Sequence, residues 1–147
     1  MELLYEAEMK SLTVAELLPE LPMAPDAYAE AIVRGVDIHR DAHDAIIRGL
    51  LRIDWSFERL PVLDRLLLRM GCEELAHQPG TPAAVILDEI VELAKMFCAE
   101  DSSKFVNGVL AKAATGLRPL EKTRTKSRPK RPAPEPPPRP EQIDATP

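Results

Sequence analysis

Several kinds of segment are missing from this sequence, and each absence removes a class of protein. No stretch reaches the roughly 18 uncharged apolar residues that a membrane-spanning helix needs. The opening Met1-Glu2-Leu3-Leu4-Tyr5-Glu6 has no basic start ahead of an apolar run, as a secretory signal would. Cysteine is scarce: Cys72 and Cys98 stand far apart without neighbouring ligands, which excludes a disulfide framework and a zinc knuckle. Alternating strand patterns and Gly-rich phosphate loops are absent as well. What remains is a soluble, cytoplasmic chain of 147 residues, long enough for one domain.

Charge is present but unevenly placed. Residues 1–117 carry 11 Lys and Arg against 20 Asp and Glu, a balance of −9, whereas 118–147 carry 8 against 4, a balance of +4. The acidic body repels nucleic acid at long range and the tail attracts it, so RNA binding needs a local patch or the tail. From Pro119 onward 9 of 29 residues are proline, and Leu120 and Ile143 are the only strongly apolar side chains. Such a segment buries too little to offset the entropy of ordering it, so 119–147 is expected to be disordered and the folded domain to span 1–118.

Within that domain the apolar periodicity is helical throughout, and the expected fold class is all-α with five or six helices. Segment 26–51 places Tyr28, Ile32, Val36, His39, His43, Ile46 and Leu50 at spacings of three and four, which predicts one long helix. Segment 61–77 opens with Pro61 and carries Leu63, Leu67, Met70 and Glu74 on one face. Segment 82–98 follows the cap candidate Thr81 and aligns Ile86, Ile90, Ala94 and Phe97. A last helix starts near Asp101-Ser102-Ser103, buries Phe105, Val106, Val109, Leu110 and Ala113, and stops at Gly116 with Pro119 beyond. The first ten residues predict a short helix, and Leu12–Leu18 another turn or two before Pro19, Pro22 and Pro25.

Few constellations carry chemistry. His39 and His43 share a helical face and could chelate a metal, but HRDAH lacks the glutamate of a zincin and no third ligand has suitable spacing. Hydrogen-bonded histidines at a helix interface are the simpler reading, and neither a metal nor a cofactor is expected. Asp88, Glu89 and Glu92 fit a solvated face, with Glu92 and Lys95 paired three residues apart. Ser102-Ser103 beside Asp101 fits a cap, so no enzyme is indicated. Segment 100–110, EDSSKFVNGVL, is richer: Phe105 could stack on a base while Lys104 meets a phosphate. Equally, Phe105 could be core, with Asn107-Gly108 permitting close helix packing.

Segment 85–110, VILDEIVELAKMFCAEDSSKFVNGVL, resembles the signature of the NusB family of transcription antitermination factors. Segment 55–75, WSFERLPVLDRLLLRMGCEEL, is similar to the family's central pattern, and Leu4-Tyr5-Glu6-Ala7-Glu8 resembles the end of its first helix. The resemblance covers 1–118 and implies an all-α NusB fold of two packed helical subdomains without catalysis. It implies binding to a single-stranded boxA element in ribosomal-RNA leader transcripts, together with NusE, within a complex that lets RNA polymerase pass terminators. By matching positions, the resemblance assigns RNA contacts to Tyr5, Asp101, Lys104 and Phe105, and NusE contacts to Glu58 and Asp64. An acidic surface suits a basic ribosomal protein, because opposite charges speed encounter and fix register.

One departure is plain. Family members carry an arginine-rich arm before the Leu-Tyr position, whereas the first cation here is Lys10. One expectation is that Met1 is a truncated or misassigned start, which an in-frame stop codon just upstream would refute. Another is that Arg118, Lys122, Arg124, Lys126, Arg128, Lys130 and Arg131 neutralise phosphates in place of the arm, against the simpler reading of a solubilising or interaction tail. The alternatives are a protein-only module that binds NusE or forms a homodimer through the same helices, and a fragment of an RNA methyltransferase.

Overall fold

The computed structural model describes residues 1–119, and the segment 120–147, with its expected disorder and most of the basic tail, lies outside the described residues. Among the described residues all regular structure is helical: seven α-helices and two short 3₁₀ turns. Helix α1 (Glu2–Lys10) closes where Ser11 adopts the left-handed region at φ 54°, so that the Leu12 amide reaches back to the Ala7 carbonyl at 2.9 Å. Helix α2 (Val14–Leu17) opens on a reciprocal cap: the Glu16 amide donates to Thr13 Oγ1 and the Thr13 amide donates to Glu16 Oε2. Pro19 lies in a short 3₁₀ turn (Leu18–Glu20), and the chain then stays out of helix through Pro22 and Pro25 until Asp26, whose carboxylate accepts from the Ala29 amide at 2.8 Å.

The single helix expected over 26–51 is two. Helix α3 (Ala27–Ile38) ends and α4 (Arg40–Leu50) begins at His39, whose φ of −99° and ψ of 16° leave the helical region. The His39 amide closes α3 on the Gly35 carbonyl, while its own carbonyl accepts the His43 amide that starts α4. Length explains the break. At about 1.5 Å per residue a straight helix over both spans is about 36 Å long, whereas the 16-residue helix α5 (Val62–His77) on which both pack is about 24 Å. Kinking at His39 lets each half lie against α5. It also rotates the buried stripe, placing Ile47 and Asp44 inside while Tyr28 is exposed and Ile46 and Leu50 are half-buried.

Helix α5 is the axle of the domain. It packs against α1, α3 and α4, and also against α6 (Ala83–Phe97) and α7 (Ser102–Leu117). The expected face of Leu63, Leu67, Met70 and Glu74, widened by Leu66 and Leu75, is buried at Leu66, Leu67, Met70 and Leu75 and half-buried at Leu63 and Glu74, and the structure also buries Leu68 and Cys72, so that burial runs around the circumference. Each such aliphatic side chain contributes about 1.5–3 kcal/mol on burial. One apolar cluster runs from Leu4 through α5 to Ala113, so the two halves of the domain share their core. Gly71 permits the close approach of α7: a Cβ there would stand 2.5 Å from Leu110 Cδ1.

Local ends differ from expectation in two places. Pro82 rather than Thr81 occupies the cap position of α6, and Asp101 precedes α7 without any side-chain capping bond. Arg118, grouped above with the phosphate-neutralising tail, instead terminates α5. Its guanidinium donates to the carbonyls of Leu75 (2.8 Å), Glu74 (3.0 Å) and Gln78 (2.6 Å) and to that of Thr81. A helix leaves its last carbonyls without partners, and a cation there also opposes the helix dipole. Among the described residues no helix is long and apolar enough to cross a membrane.

Candidate nucleic-acid interface

The head of α7 and the loop joining α4 to α5 form one face. The Arg52 carbonyl accepts the Trp55 amide at 2.9 Å, which turns the loop and presents the Trp55 ring. That ring stacks on Phe105, with centroids 4.9 Å apart and planes 29° off parallel. Trp55 is 46% exposed, while Phe105 rests partly on the core. Phe105 thus packs inward on one side and backs the exposed Trp55 ring on the other. Lys104 and Asp101 are exposed on the same first turns of α7. Tyr5 is exposed on α1, and no contact joins it to that group among the interactions of the described residues.

The loop itself is held by Phe57, which is buried with three guanidinium groups around its ring. Arg48 lies 4.4 Å from the ring centroid, Arg69 5.6 Å and Arg65 5.9 Å. Arg69 is fixed from behind by a bidentate pair with Asp44, at 2.7 and 3.0 Å. Arg48, Arg52 and Arg59 are exposed on the same segment, so 48–59 interleaves cations with aromatic rings in an otherwise acidic body. The motif reading passed over Trp55 and these arginines. Their signal was in the sequence, as RGLLRIDWSFER, but it belongs to no regular periodicity.

The two acidic positions assigned to NusE part company. Glu58 is exposed, accepts from the Ser56 hydroxyl and from Arg48 at 2.9 Å each, and its carboxyl is held below its ordinary range. The cause is hydrogen bonding to the charged form, first by its own backbone amide, then by Ser56, then by Arg48. Asp64, by contrast, is 4% exposed and accepts from the Ser102 hydroxyl at 3.1 Å. The expectation of Asp64 on a partner-facing surface is corrected: it opens the core helix α5 and ties α5 to α7. Cys98, beside it, has its thiol pushed up to about 11, by burial first and by Asp64 second.

His39 and His43 also find company that their own helix does not show. Glu73 and His77, four residues apart on α5, bring their ligand atoms within 4.8 Å of those of the two histidines. The Asp88, Glu89 and Glu92 cluster lies on the exposed side of α6, where Lys95 pairs with Glu92 at 3.0 Å, as a solvated face requires.

This helical arrangement has known counterparts. Residues 1–115 match the family model described as the NusB family. The chain belongs to the NusB family. It is 39% identical over 113 residues to the transcription antitermination protein NusB of Lysinibacillus sphaericus (strain C3-41), covering 76% of this chain and 88% of that one. To the protein of the same name from Sorangium cellulosum (strain So ce56) it is 43% identical over 113 residues, covering 76% and 80%. Among solved structures it resembles T. maritima NusB with a TM-score of 0.73 at 33% identity, covering 83% of this chain and 89% of that one. A crystal structure of the antitermination factors NusB and NusE in complex with double-stranded RNA is similar at a TM-score of 0.67 and 28% identity, over 78% and 89%.

Proposed function

We propose that this NusB-family chain is a non-catalytic transcription antitermination factor that binds RNA and NusE, acting in the cytoplasm on nascent ribosomal-RNA leaders. The observation that carries the RNA reading is the exposed Trp55 ring stacked on Phe105, with Lys104 exposed on the same first turn of α7 and Arg52 and Arg59 exposed on the same segment as Trp55. Exposed aromatic rings accept bases of any sequence, and neighbouring cations neutralise phosphates. Asp101 and Lys104 at the head of α7 supply an acceptor and a donor for base edges next to that ring, and Tyr5 adds a second aromatic contact from α1. The NusE surface includes Glu58 but not Asp64, and the acidic body draws a basic ribosomal protein toward it. RNA polymerase joins through that assembly.

The relatives' shared name supports the antitermination reading, and the NusB–NusE–RNA crystal structure supports both partners. Binding to a boxA-like RNA and to a scrambled control, measured at several salt concentrations with and without NusE, tests it. Preferential binding that tightens with NusE is the expected result. Trp55→Ala removes one exposed stacking surface, worth about 1–3 kcal/mol per base, and should weaken RNA about 5- to 150-fold while leaving NusE binding intact. A stable NusE complex without any RNA preference would establish the protein-only module instead.

A further inference from the structure

The chain contains three histidines, and all three converge on a single carboxylate. Glu73 Oε2 lies 3.0 Å from His39 Nδ1, 2.6 Å from His43 Nε2 and 4.0 Å from His77 Nε2. These groups come from three places: the α3–α4 junction, the first turn of α4 and the last turn of α5. We propose that His39, His43, Glu73 and His77 form a binding site for one divalent transition-metal ion, with zinc the best match.

The surroundings are built for the carboxylate. Glu73 and His43 have side chains only 4% and 3% exposed. Gly35 makes the room: a Cβ at that position would lie 1.9 Å from Glu73 Oε1. A buried carboxylate needs a positive partner, and here imidazoles rather than Lys or Arg supply the contacts. The imidazoles of His39 and His77 stack nearly parallel, with centroids 4.2 Å apart and planes 16° off. A metal ion there would use the ring lone pairs and bring the positive charge itself.

Donor chemistry and number narrow the ligand. Three imidazole nitrogens and one carboxylate oxygen are borderline ligands that suit zinc, and they also accept cobalt, nickel and copper. The four ligand atoms lie within 4.8 Å of one another, whereas zinc–nitrogen bonds of about 2.0–2.1 Å require donor spacings of about 3.3 Å. His39 and His77, 38% and 45% exposed, form the open side and can rotate inward, while Glu73 and His43 need only part by a fraction of an ångström. Four protein donors leave no open coordination position, which marks a structural rather than a catalytic site. An ion there fastens the kink between α3 and α4 to the end of α5. It sits at the opposite end of the α4–α5 pair from Trp55, so it acts on stability and not on the stacking face.

Titration of tag-free, chelator-stripped full chain with Zn²⁺ tests the site. The expected result is one ion per chain, a higher melting temperature, and visible absorption of tetrahedral type when Co²⁺ is used as the probe. In His77→Gln and in His39→Gln zinc affinity should fall at least tenfold and the cobalt spectrum should collapse, with the metal-free melt of each variant recorded so that the loss is read on a folded chain. Glu73→Gln should do the same to affinity. Absence of stoichiometric binding would overturn the proposal and leave a carboxylate–histidine hydrogen-bond network. Binding that is unchanged in both histidine variants would also overturn it, since the ion would then be held elsewhere.

Discussion

Removing the Asp44 carboxylate should destabilise the chain more than any single truncation of a surface ion pair. Asp44 and Arg69 meet through two hydrogen bonds of 2.7 and 3.0 Å, with side chains 10% and 5% exposed. In Asp44→Ala the guanidinium stays inside, pressed near the Phe57 ring, without its anion. Breaking one side of such a buried pair costs about 3–5 kcal/mol, a large part of the roughly 5–15 kcal/mol that holds a domain together. Urea denaturation followed by helical circular dichroism reads this directly. With a slope of about 2 kcal/mol/M, the midpoint should fall by about 1.5–2.5 M. The control replaces both partners, Asp44→Leu with Arg69→Met. No charge is then stranded, and the stability should return to within about 1–2 kcal/mol of the parent or exceed it. A single variant within 1 kcal/mol of the parent would refute the reasoning, as would a double variant as unstable as the single one.

Arg118→Met strips hydrogen bonds from three carbonyls at the end of α5 and from that of Thr81 beyond it, and should cost about 2–3 kcal/mol in thermal or urea unfolding; Arg118→Lys should recover only part, because an ammonium cannot spread over all of these acceptors. Burial raises the Glu74 carboxyl above its ordinary value of 4.5, more than the Tyr28 hydroxyl bonded to it lowers it. The folded chain therefore holds that proton more tightly than the unfolded one, and this contribution to stability is lost as pH rises from about 4.5 through the folded value. Glu74→Gln should leave stability unchanged at pH 4 and flatten the decline above it, which unfolding curves across that range will show. With the Cys98 thiol pushed up to about 11, alkylation should rise about tenfold per pH unit between pH 7 and 9 without levelling, and Asp64→Asn should accelerate it. A plateau near pH 8.5 would contradict that assignment. Cys72, wholly buried and pushed up to about 12, should react only on unfolding.

Much of this was legible from spacing alone, because helices advertise themselves through local periodicity. Of the expected stripe Ile86, Ile90, Ala94 and Phe97, the first three face the core and Phe97, the last residue of α6, is exposed; Val106, Val109, Leu110 and Ala113 face the core on α7. The reciprocal Thr13–Glu16 cap lay three residues apart, yet only its helix turn was anticipated. What escaped is what depends on partners distant in sequence. The break at His39 follows from the length of α5, and the burial of Asp64 from a serine 38 residues away. Neither leaves a mark in the local pattern. Glu73 completes the histidine cluster across separations of 30 and 34 residues, so inspecting HRDAH by itself could not find it. Trp55 sits in a loop, where no period exists to single out a side chain. The candidate interface was thus half visible: the α7 residues came through a motif, and the loop that meets them came only through the fold.

The position of α5 as the shared axle also bears on how the chain emerges from the ribosome. Synthesis is vectorial, and α1 to α4 are complete by Leu50, before any residue of α5 exists. Leu4, Val14, Ile32, Val33, Val36 and Ile47 then have only one another to cover them, since the surface they finally bury against ends at His77. The amino-terminal half can then form only the contacts among α1, α2, α3 and α4, while α5 clears the exit tunnel. Its three successors in the chain face no such delay, because α5, α6 and α7 pack on their nearest neighbours in sequence. The later part of the protein is thus the first able to settle, and it supplies the template on which the earlier part closes.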